Sequence, residues 1–243
     1  DACALLAGEG NPPYANVVVD ETQDFGPQAL KLIRALVAPG PNDLMFVGDG
    51  HQRIYAKNKA SMSRCGIDIR GRAKKLYLNY RTTEEIRREA VSLLEGVEVD
   101  DLDGGSDEVR RYKSLLHGPV PERVRGASME SICDGILAFV GRCLESDPDA
   151  KIGVMAEINR RCDQLAKPIR EAGYKVATVK HRERLSRKDA QIYALTLHRA
   201  KGLEFDAVAI AVNRELDENL RKLVYVGISR AKKAARFYLS DVT

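Results

Sequence analysis

Short apolar runs rich in β-branched residues alternate with stretches of helical periodicity along almost the whole chain, and this alternation limits the available folds more than any other feature. "NVVVD" (16–20) reads as a strand, and "PQALKLIRALV" (27–37) as an amphipathic helix with Pro27 favourable in its first turn. After the breaker "PGPN", "LMFVGD" (44–49) is the next strand. A strand–helix–strand unit implies parallel strands joined by a right-handed crossover. "KLYLNY" (75–80) reads as a further strand, and "TTEEIRREAVSLLEG" (82–96) as a helix with a Thr cap, early acids and Gly96 at its end.

A second alternating block follows the Pro-containing "HGPVPERV" (117–124). "SMESICDGILAFVGRCLES" (128–146) is a helix, "KIGVMA" (151–156) a strand, and "NRRCDQLAKPIREAG" (159–173) a helix kinked or begun near Pro168. "YKVATV", "IYALTL" and "DAVAIAV" are strands, "LRKLVYVGISRAKKA" (220–234) is a helix, and "RFYLS" (236–240) is a closing strand. The class is therefore α/β with parallel sheets, dividing near residues 75–80.

Composition narrows the function. Hydrophobic residues make up 44% and charged residues 30% of 243, a globular balance. No apolar run approaches the ~20 residues of a membrane helix, so no membrane association is expected. The chain starts with Asp and shows no signal peptide, which reads as a processed chain or a piece of something longer. Five cysteines without a CxxC pair, and four scattered histidines, point to reduced thiols in a cytoplasmic protein and away from a metal cluster. Net charge is only +4, but Arg53 to Arg88 holds eleven Lys or Arg against three acids, while Glu95 to Glu108 holds seven acids and no base. The acidic stretch reads as a solvated loop; the basic one reads as either a solvated face or a phosphate-binding surface.

Ligands in open α/β sheets sit beyond the carboxyl ends of the strands. Three features fall there: Asp20-Glu21 after "VVV", Gly48-Asp49 after "LMFV", and Asn79-Tyr80-Arg81 after "LYL". An Asp at a strand tip can hold Mg²⁺ through water, and a neighbouring Glu can orient or deprotonate an attacking water. Each piece alone is equally an ordinary turn.

In order, "VVVDETQD" (17–24), "VGDGHQRIY" (47–55), "LNYRTT" (78–83), "TLHRAKGLEFDAV" (196–208) and "LVYVGISRA" (223–231) resemble five successive motifs of the UvrD/Rep/PcrA-like superfamily 1 helicases. The resemblance implies RecA-like parallel-sheet lobes of the P-loop NTPase type with the nucleotide held between them, and ATP and Mg²⁺ as cofactors. It makes Asp20 the Mg²⁺-associated carboxylate, Glu21 the catalytic base, and Gln52 the sensor of the γ-phosphate. Tyr80 would stack on adenine, Arg81 would reach the γ-phosphate, Glu204 would bind the ribose, and Arg230 would be the arginine finger; Asp49 and Gly202 would lie along the nucleotide. Tyr55, Lys57, Thr196, His198 and Lys201 would contact nucleic acid. The plain readings beside these are a core aromatic for Tyr80, local ion pairs for Arg81 and Arg230, and a structural role for His198.

Three departures shape the expectation. GxxxxGK(S/T) occurs nowhere in the sequence, so residues 1–75 read as the carboxyl-terminal part of a first lobe whose amino-terminal part is missing, and 76–243 as a second lobe. Alone, the chain is expected to bind ATP poorly and hydrolyse it negligibly. Where relatives read Tyr-x-Trp the chain has "IYAKNK" and no Trp at all, which shifts strand engagement from stacking towards charge. Only about 110 residues separate "LNYRTT" from "TLHRAKG", too few for a large inserted subdomain, so translocation is expected more than unwinding. The expected whole is an ATP-dependent DNA helicase or translocase moving 3′ to 5′ on single-stranded DNA or duplex junctions, in DNA repair, with a nuclease or repair protein as partner. The alternative is a non-hydrolysing nucleic-acid-binding or regulatory module of helicase form.

Overall fold

The computed structural model describes residues 12–54, 61–97, 112–125, 128–179 and 190–239. They fall into two compact units, the first taking the described residues up to Leu76 together with Val97, the second Tyr77–Gly96 and the described residues from Tyr112 on.

The first unit contains β1 (Val17–Val19), α1 (Pro27–Ala35) and β2 (Leu44–Phe46). The strands pair in parallel, Val17 with Leu44 and Val19 with Phe46, as the crossover pattern requires. Pro27 occupies the first turn of α1 after Gly26, where a missing N–H costs nothing. Leu30 and Ile33 share one helix face and pack with Val19, Met62, Cys65 and Ile67. At the helix exit, Arg34 donates to Asp43 Oδ2 (2.7 Å) and to the Val37 carbonyl (2.7 Å), fixing the approach to β2.

The second unit is built on a six-stranded, wholly parallel sheet. Its strands are β5 (Glu122–Arg125), β6 (Ile152–Ala156), β7 (Val176–Thr178), β8 (Ile192–Thr196), β9 (Phe205–Val212) and β10 (Ala231–Leu239), in spatial order β5-β10-β9-β6-β8-β7. Helices α3 (Met129–Ser146) and α4 (Asn159–Glu171) cover one face through Ile132, Ile136, Val140, Leu165 and Ile169 against Val154, Ala194 and Ala209. The α5 helix (Glu218–Ile228) lies on the other face, its Gly227 beside Leu197, Ile210 and Met155. Coverage of both faces explains why β6, β8 and β9 are nearly continuous apolar runs. Each fully buried Ile or Leu there contributes about 1.5–3 kcal/mol. This is a doubly wound, parallel-sheet arrangement, consistent with the RecA-like lobe expected from the sequence. Beside it, β3 (Leu78–Thr83) and β4 (Lys113–Leu116) form a separate parallel pair, with α2 (Glu84–Ser92) capped by Thr83.

One connection bears on the site. Thr196, at the carboxyl end of β8, is level with Ala211 of β9, because both pair with Ala156. Phe205 begins β9 six residues earlier, at the opposite end of the sheet. Residues 197–204, with a 3-10 turn over Leu197–Ala200, therefore travel from one end of the sheet to the other.

Several elements differ from the sequence reading. Helix α4 begins at Asn159 and runs through Pro168 without a break; the Gln164 carbonyl, which Pro168 cannot serve, is approached by the Cys133 thiol at 4.0 Å. The expected helix over 220–234 stops at Ile228, and Ala231–Leu239 is a single strand. The strand expected at 75–80 instead spans Leu78–Thr83, so Asn79, Tyr80 and Arg81 lie within it rather than beyond its carboxyl end. The strands β4 and β5 had no counterpart in the pattern; both are four residues long.

Candidate functional site

In the first unit the chain turns sharply after Val19. Asp20 is exposed, and its Oδ1 accepts the Glu21 N–H (2.7 Å). Glu21 takes a left-handed backbone conformation (φ 52°, ψ 40°), which for a residue with a Cβ is held only by surrounding contacts. Those contacts are visible. The buried Gln23 donates its amide to Glu21 Oε2, and its Oε1 accepts the Asp49 N–H (3.0 Å). Thr22 donates its hydroxyl to the Val47 carbonyl (2.7 Å). Gly48 is where this bridge passes closest: a Cβ there would lie 2.7 Å from Gln23 Oε1 and 3.2 Å from the Thr22 N. The tips of β1 and β2 are thus stitched together, with the Glu21 carboxylate oriented by the stitch.

Asp49 organises the next segment. Its Oδ1 accepts the His51 N–H (3.0 Å) and faces His51 Nδ1 (3.0 Å), and its Oδ2 accepts the Gln52 side-chain amide (2.9 Å). Burial pushes the Asp49 carboxyl up, but the His51 and Gln52 hydrogen bonds outweigh it and leave the group below its ordinary range. Gln52 is therefore positioned through Asp49. Tyr55 and Lys57 lie outside the described residues.

In the second unit, β3 pairs Asn79 with Ser114 and Thr83 with Leu116, with three residues between them on β3 against one on β4. Tyr80, Arg81 and Thr82 are the bulge between them. Asn79 holds it in shape: its Oδ1 accepts the N–H of Arg81 (2.8 Å) and of Thr82 (3.3 Å), and its Nδ2 donates to Thr82 Oγ1 (2.8 Å). Tyr80, 70% exposed, is presented to solvent rather than packed in the core. Arg81 Nε lies 3.1 Å from Glu204 Oε1, and Lys232 Nζ lies 3.0 Å from Glu204 Oε2. Lys232 reaches that position from a second bulge, where Ala231–Ala234 of β10 spans Phe205–Ala207 of β9. Its hydrogen bond, with the charges of Arg81 and Arg230, keeps the Glu204 carboxyl below its ordinary range against the upward pull of burial.

Arg230 is buried (2% exposed) just past the end of α5. Its Nε donates to the Val226 carbonyl (3.1 Å), and its Nη2 to Ser229 Oγ (3.1 Å). A cation there complements the helix carboxyl terminus. Glu204 and Arg230 sit at the amino ends of β9 and β10, whereas Thr196 and the exposed His198 sit at the carboxyl end of β8. Lys201, half-buried, and Gly202 lie on the crossover between, and Gly202 makes its turn at φ 76°.

Gln23, Asn79 and Lys232 received no role from the sequence, although Asn79 was singled out beside the Tyr-Arg pair and Gln23 lies inside "VVVDETQD". Among the described residues no group of three or more His, Cys, Asp or Glu is placed to hold a metal, and no helix is long and apolar enough to cross a membrane. Cys143 and Cys162 are thiols pushed by burial to about 11 and about 12, which keeps them protonated.

Fold and site define a parallel-sheet α/β chain with carboxylates at the strand tips of one unit and a cation-rich cluster in the other. Residues 6–65 match a family model described as the UvrD/REP helicase N-terminal domain, and residues 191–238 match the UvrD-like helicase C-terminal domain. A curated relative, a "Probable DNA helicase" of Mycoplasma pneumoniae, is 25% identical over 261 residues, covering 96% of this chain and 46% of its own. Over residues 6–65 and 191–238 the chain is similar to UvrD/Rep helicases, and it spans about half the length of that relative. Two solved structures also align, each with a TM-score of 0.49. One is the C-terminal domain of a DNA helicase candidate from Lactobacillus plantarum (23% identity, 67% of this chain and 88% of that one), the other the PRRSV helicase (15%, 96% and 36%).

Proposed function

We propose that the chain carries part of the motor of an ATP-dependent DNA helicase or translocase, coupling Mg-ATP hydrolysis to 3′-to-5′ movement on single-stranded DNA. The observation that carries the reading is the Gln23 bridge, which orients the Glu21 carboxylate on a strained backbone at a strand tip. A solvated turn has no use for such a device. Glu21 orients and deprotonates the attacking water, and Gln52, held by Asp49, senses the γ-phosphate. Tyr80 stacks on the base, Arg81 and Arg230 neutralise the γ-phosphate, and Glu204 accepts the ribose hydroxyls, with Gly202 alongside. For this role Arg230 must exchange its Ser229 and Val226 partners for phosphate oxygens. Thr196, His198 and Lys201, with Tyr55 and Lys57, engage the DNA.

Asp20 suits Mg²⁺. It is exposed, and the backbone uses only one of its oxygens, so the other can hold a hydrated cation that is mostly water-bound. The ion supplies charge neutralisation at the phosphates.

A second reading, a non-hydrolysing nucleic-acid-binding module, is favoured by one observation: these 243 residues contain no GxxxxGK(S/T) loop. DNA-stimulated ATP turnover decides between the two. On the 243 residues alone, turnover should be negligible. In the native polypeptide that carries them it should be robust and fall about 10²–10⁴-fold with Glu21→Gln while nucleotide still binds. Undiminished turnover in that variant removes Glu21 from the chemistry, and no turnover in the native polypeptide leaves the binding module.

A further inference from the structure

The cluster around Glu204 has a property that the roles above do not use. Both carboxylate oxygens are taken by cations, Oε1 by Arg81 at 3.1 Å and Oε2 by Lys232 at 3.0 Å. All three side chains are partly exposed, at 40% for Glu204, 45% for Arg81 and 41% for Lys232, so the triad lies open to an incoming ligand. The two cations belong to bulges of different strands, and each bulge leaves its side chain aimed at the one acid between them.

We infer that Glu204 is a selectivity gate: it holds Arg81 and Lys232 in a closed triad, so that a bare polyphosphate is rejected and a nucleotide is admitted. The inference rests on the ATP reading above and deepens it to a choice of ligand class. An anion approaching Arg81 must displace a carboxylate already bonded to it and is repelled by that same carboxylate. Once Arg81 leaves, Glu204 loses half its partners. A ligand with hydroxyl donors beside its phosphates can hydrogen-bond the vacated oxygen, because an ionised carboxylate only accepts. Inorganic polyphosphate has no such donor. Selectivity thus comes from a repulsive element against the wrong ligand as much as from attraction to the right one. Lys232 stays with Glu204 in both states and keeps it ionised.

The triad is accessible, so salt screens it, and the expected effect is modest. Calorimetric titration of inorganic tripolyphosphate into the native polypeptide that carries these residues, at low ionic strength, should show Glu204→Gln binding about two- to fivefold more tightly than wild type. That gain should vanish in Glu204→Gln/Arg81→Ala and should not appear in Glu171→Gln, an exposed acid on α4 that removes the same charge. With ATP, Glu204→Gln should gain less than with tripolyphosphate, since it gives up an acceptor as well as a repulsion. Circular dichroism checks that each variant is folded. An unchanged tripolyphosphate affinity in Glu204→Gln, a gain that survives loss of Arg81, or an equal gain in Glu171→Gln overturns the gate. If wild type prefers tripolyphosphate to ATP, the ATP reading fails, while the Arg81-dependent gain still shows whether Glu204 restrains the cation.

Discussion

At the scale of single residues, the chain stabilises its functional geometry with side chains whose partners are distant in sequence. Glu84 shows this away from the site. It is buried, and its two oxygens accept from Arg87 (2.6 and 2.8 Å), Arg88 (2.8 Å) and the Ser114 N–H (2.8 Å), tying α2 to β4. The Arg87 hydrogen bonds lead in drawing its carboxyl down from 4.5 to about 2. A folded-state value below the unfolded one gives stability that is fully present above about 4.5 and is lost as pH falls towards 2. Urea unfolding should therefore show the second unit weakening across that window. Glu84→Gln should flatten the slope and cost about 2–3 kcal/mol at neutral pH, by leaving Arg87 with a buried, poorly paired charge. A steep slope retained in the variant would assign the acid sensitivity elsewhere. The same logic separates the residues a reader of the sequence can find from those it hides. Asp20, Glu21 and Tyr80 stand inside recognisable strings; Gln23 stands in one too, but its role depends on Asp49, 26 residues further on, as that of Lys232 depends on a bulge that swings it to Glu204.

At the scale of elements, apolar periodicity predicted the buried strands and amphipathic helices well, and it failed where composition and tertiary placement pulled apart. "AKKAARFYL" is rich in Ala and Lys, good helix formers, yet it runs between β9 and β5 as β10 because burial on both neighbours outweighs intrinsic preference. Short β5, charged at Glu122, Arg123 and Arg125, carries no apolar alternation because it is an edge. The opposite conflict occurs in α4, where Pro168 suggests a break and none is seen. An interior proline removes one backbone hydrogen bond and crowds the preceding turn. Pro168→Ala should thus raise the second unit's stability by about 1–3 kcal/mol, read by thermal unfolding. A fall in Tm would mean that the ring's packing outweighs the lost hydrogen bond.

At the scale of the whole molecule, five strings in fixed order conveyed a resemblance to UvrD/Rep helicases, and the parallel sheet followed from the alternation. What the order could not convey was distance. From Thr196 to Glu204 the chain covers roughly 20 Å along the sheet, at about 3.3 Å per strand residue. A four-residue 3-10 turn at about 2 Å per residue, the turn at Lys201–Gly202 and two further residues supply little beyond that length. The crossover is a connecting rod with almost no slack. On the motor reading proposed above, lengthening it should cut transmission: with two glycines inserted after Lys201, DNA should stop accelerating ATP turnover in the native polypeptide while nucleotide still binds. Undisturbed acceleration would mean that the stimulus travels by another route. A tether this taut permits no private motion at its ends, so whatever displaces the threonine must also tug the glutamate.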